Sequence, residues 1–229
     1  NSRKKKLDLS IERLYCNFCT ALTSIPVLPN LKQLDCHGCT SLTSIPILPK
    51  LKTLYCMDCT ALTSIPIIPE LERLHCDRCT SLTSIPALPK LKELYCTYCR
   101  SLTSIPALPK LKELYCNGCI SLTSIPIMPE LKILYCRYCT SLTDIPVIPK
   151  LKTLFCCGCK WIKDCDDYNN NIKSLRTCQS IFRRKLTARK LEKLLPAITE
   201  IYYSPGCKGA HLAERAFSAK ERSFVSRIK

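Results

Sequence analysis

The chain has 229 residues, of which 46% are apolar; this content is ordinary for a folded protein and excludes a disordered one. No uninterrupted apolar run reaches the roughly 18 residues of a membrane-spanning helix, so we predict no membrane span. The net charge of +17 is uneven, because residues 160–229 alone carry 16 basic and seven acidic residues. This excess predicts weak, nonspecific attraction of acidic partners by the end of the chain.

The first ten residues, NSRKKKLDLS, contain four basic residues and one acidic residue. They lack the apolar core of a signal peptide. Because the chain begins without methionine, we expect residues 1–10 to be a basic lead-in that is truncated at its start.

From residue 11 onward the chain repeats every 20 residues. Eight segments, which begin at residues 11, 31, 51, 71, 91, 111, 131 and 151, follow the pattern L-x-x-L-x-C-x-x-C-x-x-L-x-x-I-P-x-[L/I/M]-P-x. The eighth, LKTLFCCGCKWIKDCDDYNN, loses both prolines. A fixed period of this length indicates a repeat architecture, in which each unit buries its apolar edge by stacking on its neighbours. We assign residues 11–170 to these eight repeats.

Each repeat is predicted to be one short strand and one extended arm. In the first repeat Leu14 and Cys16 alternate with Tyr15, as in a strand with one buried face, and the pattern predicts a strand of about five residues. Pro26 and Pro29 fix φ and remove two backbone donors, which favours a polyproline-like return path over a helix.

The repeat resembles the leucine-rich repeat, L-x-x-L-x-L-x-x-[N/C]-x-x-L, over residues 11 to about 165. Its C-x-x-L form is similar to that of plant intracellular immune receptors, and its IPxLP half to secreted bacterial effectors. The array and the tail IYYSPGCKGAHLAERAF most resemble repeat proteins of giant, mimivirus-like DNA viruses of amoebae. The resemblance implies an α/β-type repeat solenoid with parallel strands on a concave face, an extended convex side and a helical C-terminal cap. It also implies a non-catalytic protein that binds host or viral proteins.

Two cysteines recur in every repeat at Cys-x-x-Cys spacing. The 16 residues between successive pairs fall within the range of zinc sites, and strands about 4.8 Å apart would also permit disulfides. In the leucine-rich-repeat register, the first cysteine replaces an inward strand leucine, and the second takes the place of an inward Asn or Cys that bonds to the turn backbone. We therefore predict reduced structural ladders and no metal or cofactor. The ladder residues are Cys16, Cys19, Cys36, Cys39, Cys56, Cys59, Cys76, Cys79, Cys96, Cys99, Cys116, Cys119, Cys136, Cys139, Cys156 and Cys159.

The chain has 20 cysteines but neither a signal peptide nor an Asn-x-Ser/Thr acceptor, which indicates a reducing compartment. We therefore predict an intracellular protein and, from the viral resemblance, one of the host cytoplasm. The alternative is a zinc-stabilised basic protein that binds nucleic acid through its Cys-x-x-Cys pairs and basic tail. Metal content and a steep fall of affinity with salt would separate the two interpretations.

The outward strand positions are the second, third and fifth of each repeat, and they line the predicted concave face. Tyrosine and arginine are favoured interface anchors and lysine is typical of a rim, so we predict a protein-binding face. An aromatic stack that only stabilises the sheet is the alternative. The two residues after each strand vary between repeats, and such variation would carry specificity. The predicted binding residues are Tyr15, Tyr55, Arg73, His75, Tyr95, Tyr115, Tyr135, Phe155, Lys92, Lys112 and Lys132.

Residues 171–229 are predicted to form a basic helical C-terminal region. Apolar residues between Thr177 and Ile201 fall on one helix surface among arginines and lysines, and Pro196 is expected to kink this helix. Its apolar face would cap the repeat stack; binding of calmodulin, an anionic membrane or nucleic acid stays open as an alternative. Neither a phosphate-binding loop nor a nucleophile with its base is recognisable, so we predict no enzymatic activity.

Overall fold

The computed structural model describes residues 10–146 and 148–160, together with Ser180 and Arg184. The chain divides into two units, Asn1–Phe182 and Arg183–Lys229, and all the repeats lie in the first. The predicted C-terminal helix and cap, and nearly all of the basic lead-in, lie outside the described residues, although Ser180 and Arg184 are both helical. Among the described residues, no helix has the length and apolar character that crossing a bilayer requires.

Within the described residues, eight parallel strands form one sheet, and their order in the sheet is their order in the chain. Neighbouring strands pair in a register of one repeat, so that Leu94 lies beside Leu114. Consecutive parallel neighbours mean that the chain winds as a solenoid. The strands are β1 (Arg13–Tyr15), β2 (Gln33–Asp35), β3 (Thr53–Tyr55), β4 (Arg73–His75), β5 (Glu93–Tyr95), β6 (Glu113–Tyr115), β7 (Ile133–Tyr135) and β8 (Thr153–Phe155).

The strands have three residues rather than the predicted five. Backbone hydrogen bonds continue the pairing on both sides of each strand: the Lys112 N–H donates to the Lys92 carbonyl and the Cys96 N–H to the Tyr115 carbonyl, both at 2.8 Å. The regular strand ends early because the backbone turns into the left-handed region three residues after it. This turn recurs in all eight repeats, with φ between +55° and +78°, at Phe18, Gly38, Asp58, Arg78, Tyr98, Gly118, Tyr138 and Gly158.

The interior consists of buried rows that run through successive turns. The burial alternates in the strand, where Leu94 and Cys96 point inward, and then recurs every third residue at Cys99, Leu102 and Ile105. A period of three is that of an extended polyproline chain with three residues per turn. In the described part of the arms no helix occurs, and one isolated bridge joins Ser84 to Ser104. The predicted solenoid, with parallel strands on one side and extended arms on the other, is confirmed.

Candidate protein-binding face

The strand face consists of the side chains that alternate with the buried strand leucines and of the outward residues on either side of them. Six aromatic side chains form a continuous stack along this face, with neighbouring ring centroids 4.2–4.8 Å apart. The spacing follows from that of parallel strands, and each aromatic contact contributes about 0.5–1.5 kcal/mol. We term this stack the aromatic ladder; its members are Tyr55, His75, Tyr95, Tyr115, Tyr135 and Phe155.

The centre of the aromatic ladder is its most regular part. His75 and Tyr95 stack at 4.2 Å with an interplanar angle of 7°, and Tyr95 and Tyr115 at 4.4 Å with 6°. At its end, the Arg137 guanidinium lies 4.7 Å from the Phe155 ring centroid, a cation–π contact. Because the rings cover one another, the ladder presents ring edges and hydroxyl groups to the outside, and most ring faces are occupied.

The pKa values of three side chains in the aromatic ladder are shifted in the direction that favours their uncharged forms. Burial lowers the pKa of His75 and so favours the neutral imidazole. Burial raises the pKa of Tyr95 and of Tyr115, and the neighbouring Glu113 carboxylate adds to both shifts. The phenols are therefore protonated donors at neutral pH, and the Tyr115 hydroxyl donates to Glu113 at 3.4 Å.

Tyr15 stands apart from the aromatic ladder, although the sequence predicted it as a binding residue. The ladder position of the next strand is Asp35, whose carboxylate lies 2.8 Å from Nδ1 of His37. His37 in turn makes an edge-on contact with Phe18, with centroids 4.5 Å apart. Tyr15 is 57% exposed, so the first two turns form a separate, more polar part of the strand face.

The four predicted basic residues fall into two kinds. Arg73 lies 3.7 Å from the Glu93 carboxylate, and Lys92 makes a 2.6 Å ion pair with Glu72. Lys112 and Lys132 are exposed at the edge where the arms enter the strands. The structure therefore places all four on the strand face, with the positive charge of two of them offset by a carboxylate.

The cysteine rows lie inside the solenoid, beneath the strand face. None of the 17 described cysteines forms a disulfide, and in the first turn Cys16 is half-buried and Cys19 exposed. From the second turn onward, each second cysteine donates its S–H to the carbonyl of the first cysteine one turn earlier at 3.0–3.1 Å, as Cys99 does to Cys76. The second cysteine therefore points inward and bonds to backbone, as the resemblance to the leucine-rich repeat implied.

The thiol geometry bears on the zinc alternative. A hydrogen bond with the Cys79 thiol, together with burial, raises the pKa of Cys56 well above its usual range, and Cys76 and Cys96 are shifted in the same way. These thiols are held protonated, whereas a hydrogen bond with Cys36 lowers the pKa of Cys59. Within residues 10–146 and 148–160, no cluster of three or more His, Cys, Asp or Glu side chains is placed to hold a metal ion. From the second turn onward the thiols of each described pair lie in the core, and the second thiol of each pair bonds to a backbone carbonyl.

Exposed aromatic residues at the left-handed turn were not among the predicted binding residues. Tyr98 is 45% and Tyr138 60% exposed. Each ring lies against the backbone of a glycine one turn later, Gly118 and Gly158, where an added Cβ would come within 2.4 Å of the ring. The signal in the sequence is an aromatic residue followed by glycine 20 positions later, and Phe18 and Gly38 repeat it.

No protein-family model matches the chain, and no curated protein matches it. Among solved structures, it is similar to a leucine-rich repeat protein from Eubacterium ventriosum, with 20% identity over 65% of this chain and 46% of that one and a TM-score of 0.49. It is also similar to a leucine-rich repeat protein of T. pallidum (18% identity, 69% and 77% coverage, TM-score 0.44) and to one from Bacteroides ovatus (18%, 67% and 60%, TM-score 0.33). The chain thus spans less than half of the Eubacterium protein, and its fold is argued from its own strand register and buried rows.

Proposed function

We propose that the protein is a non-catalytic binding module that holds another protein on its strand face. The aromatic ladder carries this proposal. Tyrosine offers a large amphipathic contact area at a small entropic cost, and stacking on both sides fixes these rings before any partner arrives. Repeat solenoids are known for extended binding surfaces of this kind.

The exposed tyrosines beside the aromatic ladder support binding over a purely structural stack. Tyr98 and Tyr138 have φ of +60° and +57°, a conformation that costs a side chain about 1 kcal/mol and that glycine adopts freely. Three other turns place glycine at this position. Because the left-handed turn recurs in all eight repeats, its strain belongs to the frame. The support for binding is the exposure of these rings, which contribute little to the core.

The proposal includes a location and an origin. A protein with rows of reduced thiols is suited to a reducing compartment, and none of the 17 described cysteines forms a disulfide. The resemblance of the array and its tail to repeat proteins of giant DNA viruses supports a viral protein that acts in the host cytoplasm, on host or viral proteins. In this proposal the cysteine rows serve the core, and the strand face serves the partner.

The experiment compares two double variants of the full chain as affinity baits in an amoebal lysate. Tyr95→Ala/Tyr115→Ala removes the centre of the aromatic ladder, and Ile67→Ala/Ile127→Ala changes two exposed arm residues as a matched control. We expect proteins retained by the wild type and the arm control to be lost by the ladder variant, and hydrogen exchange of the bound bait to slow along β4–β7. Equal capture by the ladder variant, with its circular dichroism unchanged, would overturn the assignment.

A further inference from the structure

Every lysine of residues 11–159 lies along one edge of the strand face. Residues 11–159 contain ten lysines, and each occupies either the second or the last position of its repeat. The same two positions hold four glutamates, which leaves them a net charge of +6, while the remaining residues of this range hold five arginines and six carboxylates. We term these two rows the lysine edge. Its lysines are Lys32, Lys50, Lys52, Lys90, Lys92, Lys110, Lys112, Lys132, Lys150 and Lys152.

The carboxylates of the lysine edge are already paired. Glu12, Glu70, Glu72 and Glu130 each meet the lysine one turn later, at 2.6–2.7 Å. Among the described residues, six lysines of the edge make no ion pair, and four of these six fall between residues 110 and 152. This group is Lys110, Lys112, Lys132 and Lys152.

The unpaired group lies next to the second half of the aromatic ladder. Lys112, Lys132 and Lys152 precede β6, β7 and β8, which carry Tyr115, Tyr135 and Phe155. Neighbouring turns are about 4.8 Å apart, so the ammonium groups form a row rather than a point. Their field acts on Glu130, whose pKa is lowered first by the hydrogen bond from Lys150 and further by the charges of Lys132 and Lys112.

We propose that the partner of the strand face is an acidic polypeptide segment, whose carboxylates lie along the unpaired lysines while its apolar side chains meet the adjoining rings. The inference rests on the proposed function and adds the chemistry of the partner. Long, exposed lysine side chains suit the segment because they reach carboxylates at several spacings. Complementary charge at a rim also directs association and orientation, while the aromatic centre supplies contact area.

A nucleic acid fits the same surface less well. Single strands bind by stacking their bases on exposed aromatic faces, but His75, Tyr95, Tyr115 and Tyr135 each have a ring neighbour on both sides. Arginine is the side chain that grips phosphate in bidentate fashion, and all five arginines of residues 11–159 lie outside the lysine edge. A nucleic acid would therefore gain charge contacts alone, whereas a polypeptide gains charge and apolar contacts together.

The test measures anisotropy of a fluorescent peptide of alternating glutamate and leucine, and of an oligothymidylate of equal charge, at about 150 mM salt, where long-range attraction is screened. The edge variant carries Lys110→Gln, Lys112→Gln, Lys132→Gln and Lys152→Gln. The matched control carries Lys185→Gln, Lys190→Gln, Lys193→Gln and Lys208→Gln, so both have the same net charge. We expect the edge variant to bind the peptide about tenfold more weakly than the control, since four exposed ion pairs are lost.

Three results would overturn the inference. These are equal weakening in both variants, no weakening in either, and a loss in the edge variant that affects the oligothymidylate and spares the peptide. Failure of the proposed function gives a different result: the Tyr95→Ala/Tyr115→Ala variant would retain every captured protein while the edge variant still loses the peptide.

Discussion

The two halves of each turn fill the same core in different ways. The arm half buries every third residue and repeats L-T-S-I-P in seven turns with one change, Asp144. The strand half buries the strand leucine, the first cysteine two residues later and the second cysteine three residues after that. Its outward positions change charge, size and aromaticity from turn to turn. Its buried rows include two rows of thiols, whereas the arm rows consist of leucine, isoleucine and one methionine. The arm is thus a constant frame, and what distinguishes one turn from another lies on the strand face.

The largest effect that we predict is a loss of stability at high pH, and it originates in the thiols of the strand half. The pKa values of Cys56, Cys76, Cys96, Cys116 and Cys136 are raised by hydrogen bonds with neighbouring thiols and by burial. Thiols of the unfolded chain ionise near pH 8.5, while these stay protonated in the folded chain, so the unfolded state binds fewer protons. The free energy of unfolding should therefore fall above pH 8.5, by about 1.4 kcal/mol per pH unit for each such thiol.

Urea unfolding between about pH 7 and 10 measures this dependence, and a midpoint that stays constant above pH 8.5 would contradict it. The matched variant is Cys96→Ala. It removes one raised thiol, so its stability should fall less steeply with pH than that of the wild type. Tyr95 and Tyr115 shift in the same direction, but phenols ionise only near pH 10 and above.

The period of 20 residues predicts the strand positions, the inward leucines and cysteines and the polyproline-like arms, because each depends on a local pattern. The aromatic ladder was also predictable, because all of its members occupy the fifth position of their repeats. The row of Lys50, Lys90, Lys110 and Lys150 was not predicted, although it has the same period of 20 residues. In the sequence these lysines end one repeat, whereas in the fold they lie beside the residues that begin the next repeat. The left-handed turn was missed since five of its eight residues are not glycine.

A second, smaller effect compares the buried rows of the two halves by removing one side chain from each. Leu108 in an arm and Cys96 beside a strand are both fully buried. Leu108→Ala should lower the free energy of unfolding by about 2–5 kcal/mol, because it removes three carbons and leaves a cavity. Cys96→Ala removes one sulfur, of about the size of a methylene, and should cost about 1 kcal/mol at neutral pH.

Thermal and urea unfolding of the two variants measures the difference. The control is Ile127→Ala in an arm, where the side chain is 56% exposed and the change should stay within about 0.5 kcal/mol. A Cys96→Ala cost equal to that of Leu108→Ala would contradict the view that the thiol rows act mainly as small core residues.

The smallest effect concerns the left-handed turn that joins the two halves. Gly118 has φ of +67°, and an added Cβ would lie 2.4 Å from Cδ1 of Tyr98. Gly118→Ala should cost about 1–2 kcal/mol through its backbone alone, and the Tyr98 ring must also move. Asp58→Gly, where φ is +55°, should instead stabilise the chain by up to about 1 kcal/mol.

A double variant separates the two contributions at this turn. Tyr98→Ala removes the ring, so adding Gly118→Ala to it should cost only the backbone contribution of about 1–2 kcal/mol. If Gly118→Ala costs the same with and without the ring, the ring adapts freely and is not held in place by the glycine. If it costs more with the ring present, glycine at this position is what allows an exposed tyrosine one turn earlier to lie against the backbone. Glycine in one turn then determines whether the preceding turn can carry an exposed tyrosine.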